Sequence, residues 1–514
     1  MHTLMRIIFK KLPASLSTAI KEKINLHPNL VPLTSSKYKT DMGVVEEDRL
    51  LESEIFNVQT NDFSWLKSAA PTFSVNGANI RIIHEPSEFY NILIEKCKFA
   101  KERITFASLY LGTGKLESEL VKVIGESIAN SNKNLKVTIL LDYIRGSRGS
   151  PNSRDMLQSL TKGELANNCQ ILLYHTPRLY EIFKKFIPGR CNELIGLQHM
   201  KVYLIDNCLI ISGANLSDDY FVNRQDRYYI IEDCKELCNF YDQLIQKVGE
   251  FSFLLQADGS TKLNPSMDFS WPRKKFIKDA SQKIKTLFQN EMMRQIEPES
   301  RTGADTLVFP IVQMGQLSIF HENEIILKLL RSAPAGGELR IGTGYFNLTS
   351  EYCNALLQDC QADCHLLTAH PTANGFFKSK GIAGGIPAAY TKIEEGFYKM
   401  CENKKQGDRI TLWEYAKAGW TYHAKGIWYK MPNQMKPSLT VIGSSNFGYR
   451  SVRRDLETQI VILTKNKKLQ DDMQTEYDRL FANANLVTRK IFSQRDRRPP
   501  IWVCATVFLF RHFF

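Results

Sequence analysis

His199, Lys201 and Asp206 stand in the pattern His-x-Lys-x4-Asp, and His423 and Lys425 repeat its first part half a chain later, with Lys430 in the place of the acid. Histidine can attack phosphorus or carry a proton near neutral pH. A lysine two residues on, in a strand, points to the same face and offers phosphate a point charge. Two such pairs facing each other would supply a nucleophile, an acid/base and two phosphate-binding cations. The triplets alone decide nothing. Ten histidines among 67 lysines and arginines in 514 residues leave about one His-x-basic triplet to chance.

The flanks carry more. Residues 201–206 read as a strand, 207–208 as a turn and 209–211 as a second strand, closing in Ser212-Gly213-Ala214-Asn215. Residues 425–429, the longer Pro-containing turn at 431–437 and the strand from 439 close in Gly443-Ser444-Ser445-Asn446. Both are β-hairpins followed by a small-residue corner. Backbone can approach a phosphate there, and Asn215, Asn446 and Ser444 can donate to it. Eleven residues past each asparagine stands an acid, Asp226 and Glu457. A histidine nucleophile needs an acceptor on its other ring nitrogen to fix the tautomer, and these two acids are the candidates.

The elements that must position these groups also come twice. A strand near 80–85, a helical run from 89 to 100 and a strand at 104–110 match residues 318–322, a helical run to about 330 and a strand at 339–345. Strands at 135–142 and 170–174 match 364–368 and 409–413, and each series ends in its hairpin. An internal duplication with this order predicts an α/β fold of two α/β/α lobes about a pseudo-twofold axis, with the active site at their interface. The expected boundaries are 71–235 and 311–490 for the lobes, with a mainly helical connection at 236–310.

With these residues in place the chain resembles the phospholipase D superfamily of His-Lys-Asp phosphodiesterases and phosphatidyltransferases. The match is His199-x-Lys201-x4-Asp206…Asn215…Asp226 and His423-x-Lys425…Gly443-Ser444-Ser445-Asn446…Arg450-Ser451…Glu457. The strings at 107–114, 223–228, 370–375 and 447–451 narrow the resemblance to the mitochondrial phosphatidyltransferases that use CDP-diacylglycerol and glycerol 3-phosphate. It spans about 70–490 and departs at Lys430 and in the last twenty residues. It implies a ping-pong transfer without a cofactor or metal. His199, with the complete motif, attacks phosphorus, CMP leaves, and His423 acts as acid and then base. Lys201, Lys425, Asn215 and Asn446 hold the charge, Asp226 and Glu457 orient the imidazoles, and Asp206, at a hairpin end, joins the catalytic set in a supporting role. Other acceptors (serine, phosphatidylglycerol, water) or a nucleic-acid phosphodiester would suit the same machinery. The chain has no basic tract interleaved with aromatics, as a nucleic-acid groove would have.

A net charge of +13 and a pI near 9.1 favour anionic partners, an anionic membrane among them. Eleven cysteines without Cys-x-x-Cys suit reduced thiols. Residues 1–25, basic and hydroxylated with leucine and isoleucine at helical spacing, suit a mitochondrial transit peptide, and 26–70 a linker. No stretch is long enough to span a bilayer. The basic, apolar tail at 491–514 suits either an interfacial segment of a peripheral inner-membrane protein or a packed C-terminal strand. Gly112, Thr113, Gly114 and Lys115 are candidate nucleotide or substrate contacts, but ATP binding near 107–114 would need a complete phosphate loop that this sequence lacks. The glycine-rich loop from Asn374 to Gly385, with Lys378 and Lys380, is either a lid or a surface insertion.

Overall fold

The structure, a computed structural model, describes residues 63–131, 134–177, 196–264, 273–295 and 304–511. The expected transit peptide and residues 26–62 of the expected linker lie outside them. The first half contributes strands β1 (Phe73–Val75), β2 (Ile80–Ile83), β3 (Arg103–Ala107), β4 (Lys136–Asp142), β5 (Cys169–Tyr174), β6 (Val202–Ile205), β7 (Cys208–Ser212), β8 (Arg224–Gln225) and β9 (Tyr228–Ile231). After them come β10 (Phe253–Leu255) and β11 (Thr261–Leu263). The second half contributes β12 (Thr306–Met314), β13 (Glu338–Gly342), β14 (Asp363–Ala369), β15 (Ile410–Tyr415), β16 (Thr421–Tyr422), β17 (Gly426–Lys430), β18 (Leu439–Gly443), β19 (Leu456–Thr464) and β20 (Ala484–Leu486).

Two nine-stranded sheets result, one ordered β11-β10-β5-β4-β3-β6-β7-β9-β2 and the other β20-β15-β14-β13-β17-β18-β19-β12-β1. From β5 to β2 and from β15 to β12 the two orders coincide. Each has three parallel strands, then an antiparallel hairpin and two further antiparallel strands. Central strands such as β4 and β7 are apolar almost throughout because both faces are covered. Helices α1 (Pro86–Lys98) and α2 (Lys115–Asn130) cover the outer face of the first sheet, and α3 (His321–Arg331) that of the second. Between the sheets lies a common core. It joins Met200, Val202, Leu209 and Ile211 to Trp428, Ile442, Leu456 and Ile460 under α4 (Lys235–Gly249), so the lobes share apolar interior.

A buried polar knot crosses the same boundary. Arg227 bonds Glu476 of α5 (Lys467–Phe481) through Nε at 2.8 Å and Nη2 at 3.0 Å, and Tyr229 and Trp428 donate to the same carboxylate. The Arg227 guanidinium also stacks 3.7 Å above the Trp428 ring.

Several expected boundaries differ. β1 pairs with β12 of the second sheet. The span read as mainly helical connection contains the β10–β11 hairpin, which extends the first sheet through β5. The strand equivalent to β2 is β12, upstream of the expected 318–322; Ser318 follows a 3-10 turn at positive φ. Phe63 and Leu66, inside the expected linker, are buried against the second lobe. The tail forms a helix, α7 (Ile501–Phe510), packed on α6 (Ile386–Asn403), and no strand among its described residues. The ten described cysteines are free.

Candidate active site between the lobes

Each His-x-Lys segment enters the site by pairing with backbone of the opposite lobe. His199 N–H donates to Leu456 O and Leu456 N–H to Leu197 O, both at 2.8 Å. In the mirrored arrangement His423 N–H donates to Gln225 O at 2.8 Å and Thr421 N–H to Asn223 O at 3.1 Å. The residue after each of these partners, Glu457 or Asp226, is an expected acid. The pairing therefore sets each acid beside the other lobe's histidine.

The dyads are crossed. His199 Nδ1 lies 2.9 and 3.0 Å from the two Glu457 oxygens, and His423 Nδ1 lies 2.7 Å from Asp226 Oδ2. Nδ1 held by a carboxylate leaves Nε2 to face the reaction. His199 Nε2 has no partner among the described residues, and the side chain is 13% exposed. His423 Nε2 meets the Tyr220 hydroxyl at 3.2 Å in a buried position. Lys201 and Lys425 are fully buried, each donating to the carbonyl of its own histidine at 2.7 and 2.8 Å.

Burial without full compensation sets the charges. It lowers both histidines below their ordinary value, His423 further because Lys425, Arg224 and Lys201 all face it. It lowers both lysines as well, Lys425 to about 8 against the pull of Asp226 and Glu457. Burial pushes Asp226 up to about 6, opposed chiefly by Lys425. Burial would also raise Glu457, but His199 and Lys201 hold it down at about 2. The His199 side thus has the firm anion, and the centre as a whole is short of negative charge. The buried Oδ1 atoms of Asn215 and Asn446 lack partners among the described residues; it is the amide N–H groups that could donate to an anion. Gly213 is required by close approach: a Cβ there would lie 2.6 Å from Asp226 Oδ1 and 2.9 Å from Lys425 Nζ.

Other expected residues fall elsewhere. Asp206 stands at the far end of β6 from Lys201, about 16 Å away at strand rise. With a positive φ of 51° it accepts from the backbone N–H groups of Lys101, Glu102 and Arg103, so it closes the hairpin away from the two histidines. Lys430 occupies the equivalent place and pairs with Glu338. Ser444 is buried against β19, donating to Thr458 O and accepting its N–H, and it backs Glu457; its hydroxyl does not reach for phosphate. At Gly112, Thr113, Gly114 and Lys115 the space against the glycines is taken by the carboxylates of Glu117 and Asp218. That surface repels a phosphate, and the glycines serve the tight entry into α2.

The structure adds groups the sequence reading passed over. Asp455 accepts from Leu197 N–H and Arg450 Nε, both at 2.9 Å. With His199 and Glu457 it forms a set of ligand atoms within 4.8 Å. The oxygens of that set are already engaged and Lys201 lies alongside, so the set supports His199 as a charge-balanced network. Tyr220 and Tyr345 stand edge-on to His423 at 5.1 and 5.6 Å, and Tyr345 stacks on Tyr390. Phe376, from the glycine-rich loop, packs on Tyr345 at 5.9 Å, so the start of that loop forms a wall of the site.

The chain is 39% identical over 479 residues to the mitochondrial CDP-diacylglycerol–glycerol-3-phosphate 3-phosphatidyltransferase of Homo sapiens, covering 88% of this chain and 86% of that protein. It is 36% identical over 454 residues to the Saccharomyces cerevisiae CDP-diacylglycerol–glycerol-3-phosphate 3-phosphatidyltransferase, covering 83% and 86%. No protein-family profile matches it. Among solved structures, the phosphatidylserine synthase of Haemophilus influenzae superposes with a TM-score of 0.65 at 19% identity, over 88% of this chain and 96% of that one. At that identity the likeness is one of fold.

Proposed function

The chain belongs to the family of CDP-diacylglycerol–glycerol-3-phosphate 3-phosphatidyltransferases, and on that premise we propose that it moves the phosphatidyl group from CDP-diacylglycerol to glycerol 3-phosphate through a phosphohistidine on His199. The observation that carries this reading is the pair of crossed dyads, with Nε2 open on His199 and occupied on His423. His199 Nε2 attacks the phosphorus that bears diacylglycerol, and the bond from that phosphorus to the CMP oxygen breaks. His423 gives its proton to the departing CMP. It then takes the proton of the glycerol 3-phosphate hydroxyl, whose oxygen attacks phosphorus and frees His199. Lys201, Lys425, Asn215 and Asn446 face the charge that builds on the phosphoryl oxygens. An anion between the lysines offsets the charge that depresses His423 and so lets it carry the proton it must donate.

The same reading places the protein on a mitochondrial membrane surface, where its lipid substrate resides. No described helix is long and apolar enough to cross a bilayer. Helix α7 turns Val503 and Val507 inward and leaves Ile501 and Phe508 exposed, which suits insertion into one leaflet.

Purified protein with labelled CDP-diacylglycerol should release CMP in the presence of glycerol 3-phosphate, and far less with serine, phosphatidylglycerol or water. His199→Ala and His423→Ala should each abolish release. Acid-quenched protein should carry label on residue 199. Label on residue 423 would reverse the roles, and release indifferent to glycerol 3-phosphate would sink the reading.

A further inference from the structure

Arg224 is a cation of the site that belongs to neither His-x-Lys pair. Strand β8 runs parallel to β16 across the lobe boundary and sets Arg224 beside Thr421. The Arg224 Nε donates to Thr421 Oγ1 at 2.9 Å, and Nη2 pairs with the exposed Asp219 at 2.9 Å. The guanidinium carbon stands 4.7 Å above the ring of Tyr220, whose hydroxyl touches His423. Gly375 closes the remaining side: a Cβ there would lie 3.4 Å from Nη2 and 3.2 Å from the Tyr345 hydroxyl. The fork is held in place, 12% exposed, and its Nη1 has no partner among the described residues.

Position and length agree with a particular ligand. Thr421 and His423 are two residues apart on one extended segment, so their side chains look the same way. Arg224, bound to Thr421, therefore stands roughly 7 Å from His423 along that direction. In glycerol 3-phosphate the attacking hydroxyl oxygen and the phosphorus are five bonds apart, about 6 Å when extended at ordinary bond lengths. Lys201 and Lys425 are committed to the phosphoryl group in transfer, whereas the acceptor brings a second phosphate that needs its own cation.

We infer that Arg224 binds the phosphomonoester of the acceptor while His423 holds its hydroxyl, so that this residue selects a phosphorylated three-carbon alcohol over glycerol or water. The inference rests on the transferase reading above. Glycerol gives the guanidinium nothing to pair with, and the loss of a charged partner is where such discrimination arises.

The test compares wild type, Arg224→Gln and Arg224→Lys on CDP-diacylglycerol with glycerol 3-phosphate or, separately, with glycerol. In Arg224→Gln the KM for glycerol 3-phosphate should rise about 10- to 100-fold, as for one charge-assisted phosphate contact, with a smaller change in kcat. The preference for glycerol 3-phosphate over glycerol should fall by a similar factor, and Arg224→Lys should restore part of it. An unchanged KM, or equal losses with both acceptors, would make Arg224 a structural residue and overturn the inference. Wild-type protein that released CMP with neither acceptor would remove the transferase reading itself, and this subsite with it.

Discussion

Glu457 and Asp226 do the same job from opposite lobes, one held down at about 2 and the other pushed up to about 6, and the groups they hold shape the expected pH profile. Both histidines are lowered from their ordinary value, so in the free protein both are neutral at pH 7 and gain a proton only as pH falls below that value. Protonated His199 cannot attack, which gives kcat/KM an acid limb below about 6.5. On the other side Lys425, lowered to about 8, loses its charge as pH rises through that value, and with it its grip on phosphate. A bell is therefore expected, and Lys425→Arg, whose charge persists, should lower the peak but carry the alkaline limb upward. If that limb stayed near 8 in the variant, Lys425 would not be its source. At this scale the sequence was legible where chemistry repeats at fixed offsets: His199, Lys201, His423, Lys425 and both acids come together. Motif completeness misled. Arg103 Nε donates to the Asp206 carbonyl at 3.0 Å in one lobe, and Glu338 pairs with Lys430 in the other, so the two hairpin ends are closed by different contacts. The missing acid says nothing about which histidine attacks; the open Nε2 of His199 is what supports the proposed assignment.

Among the elements, the boundary between lobes is held by side chains that no local pattern announces. Arg227 follows Asp226 directly, and its guanidinium reaches Glu476 on α5 while donating to Val441 O and Thr440 Oγ1. Both charges are buried, at 0 and 4% side-chain exposure. Removing one partner leaves the other uncompensated, so Glu476→Ala should cost about 3–5 kcal/mol of stability, read as a lowered denaturation midpoint. Turnover should fall as well, because the displaced Arg227 disturbs Asp226. Lys468→Ala, breaking an exposed pair with Asp472, should leave the midpoint in place. A Glu476→Ala protein with an unmoved midpoint would mean that the knot adds nothing. Strand order was readable because alternating strands and helices recur, but β12 was not. Its Pro310 argues against a central strand, yet β1 covers only Thr306–Val308, so the proline sits where that edge is unpaired. The crossing of β1 into the second sheet is likewise a tertiary choice with no signature in its three residues.

Taken whole, the molecule must bring a water-soluble acceptor and a bilayer-bound donor to one pair of histidines, and the C-terminal helix is the side proposed to meet the membrane. A chain of contacts connects α7 to the site. Trp502 abuts Gly385 at the end of the glycine-rich loop, and Phe376 near the loop's start packs on Tyr345 beside His423. At the other end of α7, Arg511 bonds Asn347 and Leu348, just beyond Tyr345. Phe377, exposed on the same loop, adds apolar surface with Lys378 against its ring. Arg497, in the basic stretch before α7, is buried in a bidentate pair with Glu414 at 2.5 and 2.6 Å. That pair fixes the approach to α7, on which Ile501 and Phe508 stay exposed. Ile501→Ser combined with Phe508→Ser removes two large exposed groups, each worth about 1.5–3 kcal/mol when fully buried. The double variant should lose binding to anionic liposomes and lose turnover on liposomal CDP-diacylglycerol. In detergent micelles, where the substrate comes to the protein, it should keep turnover. Equal binding by variant and wild type would move the membrane contact to another face, and loss of turnover in micelles as well would make α7 a structural brace for the Tyr345 loop.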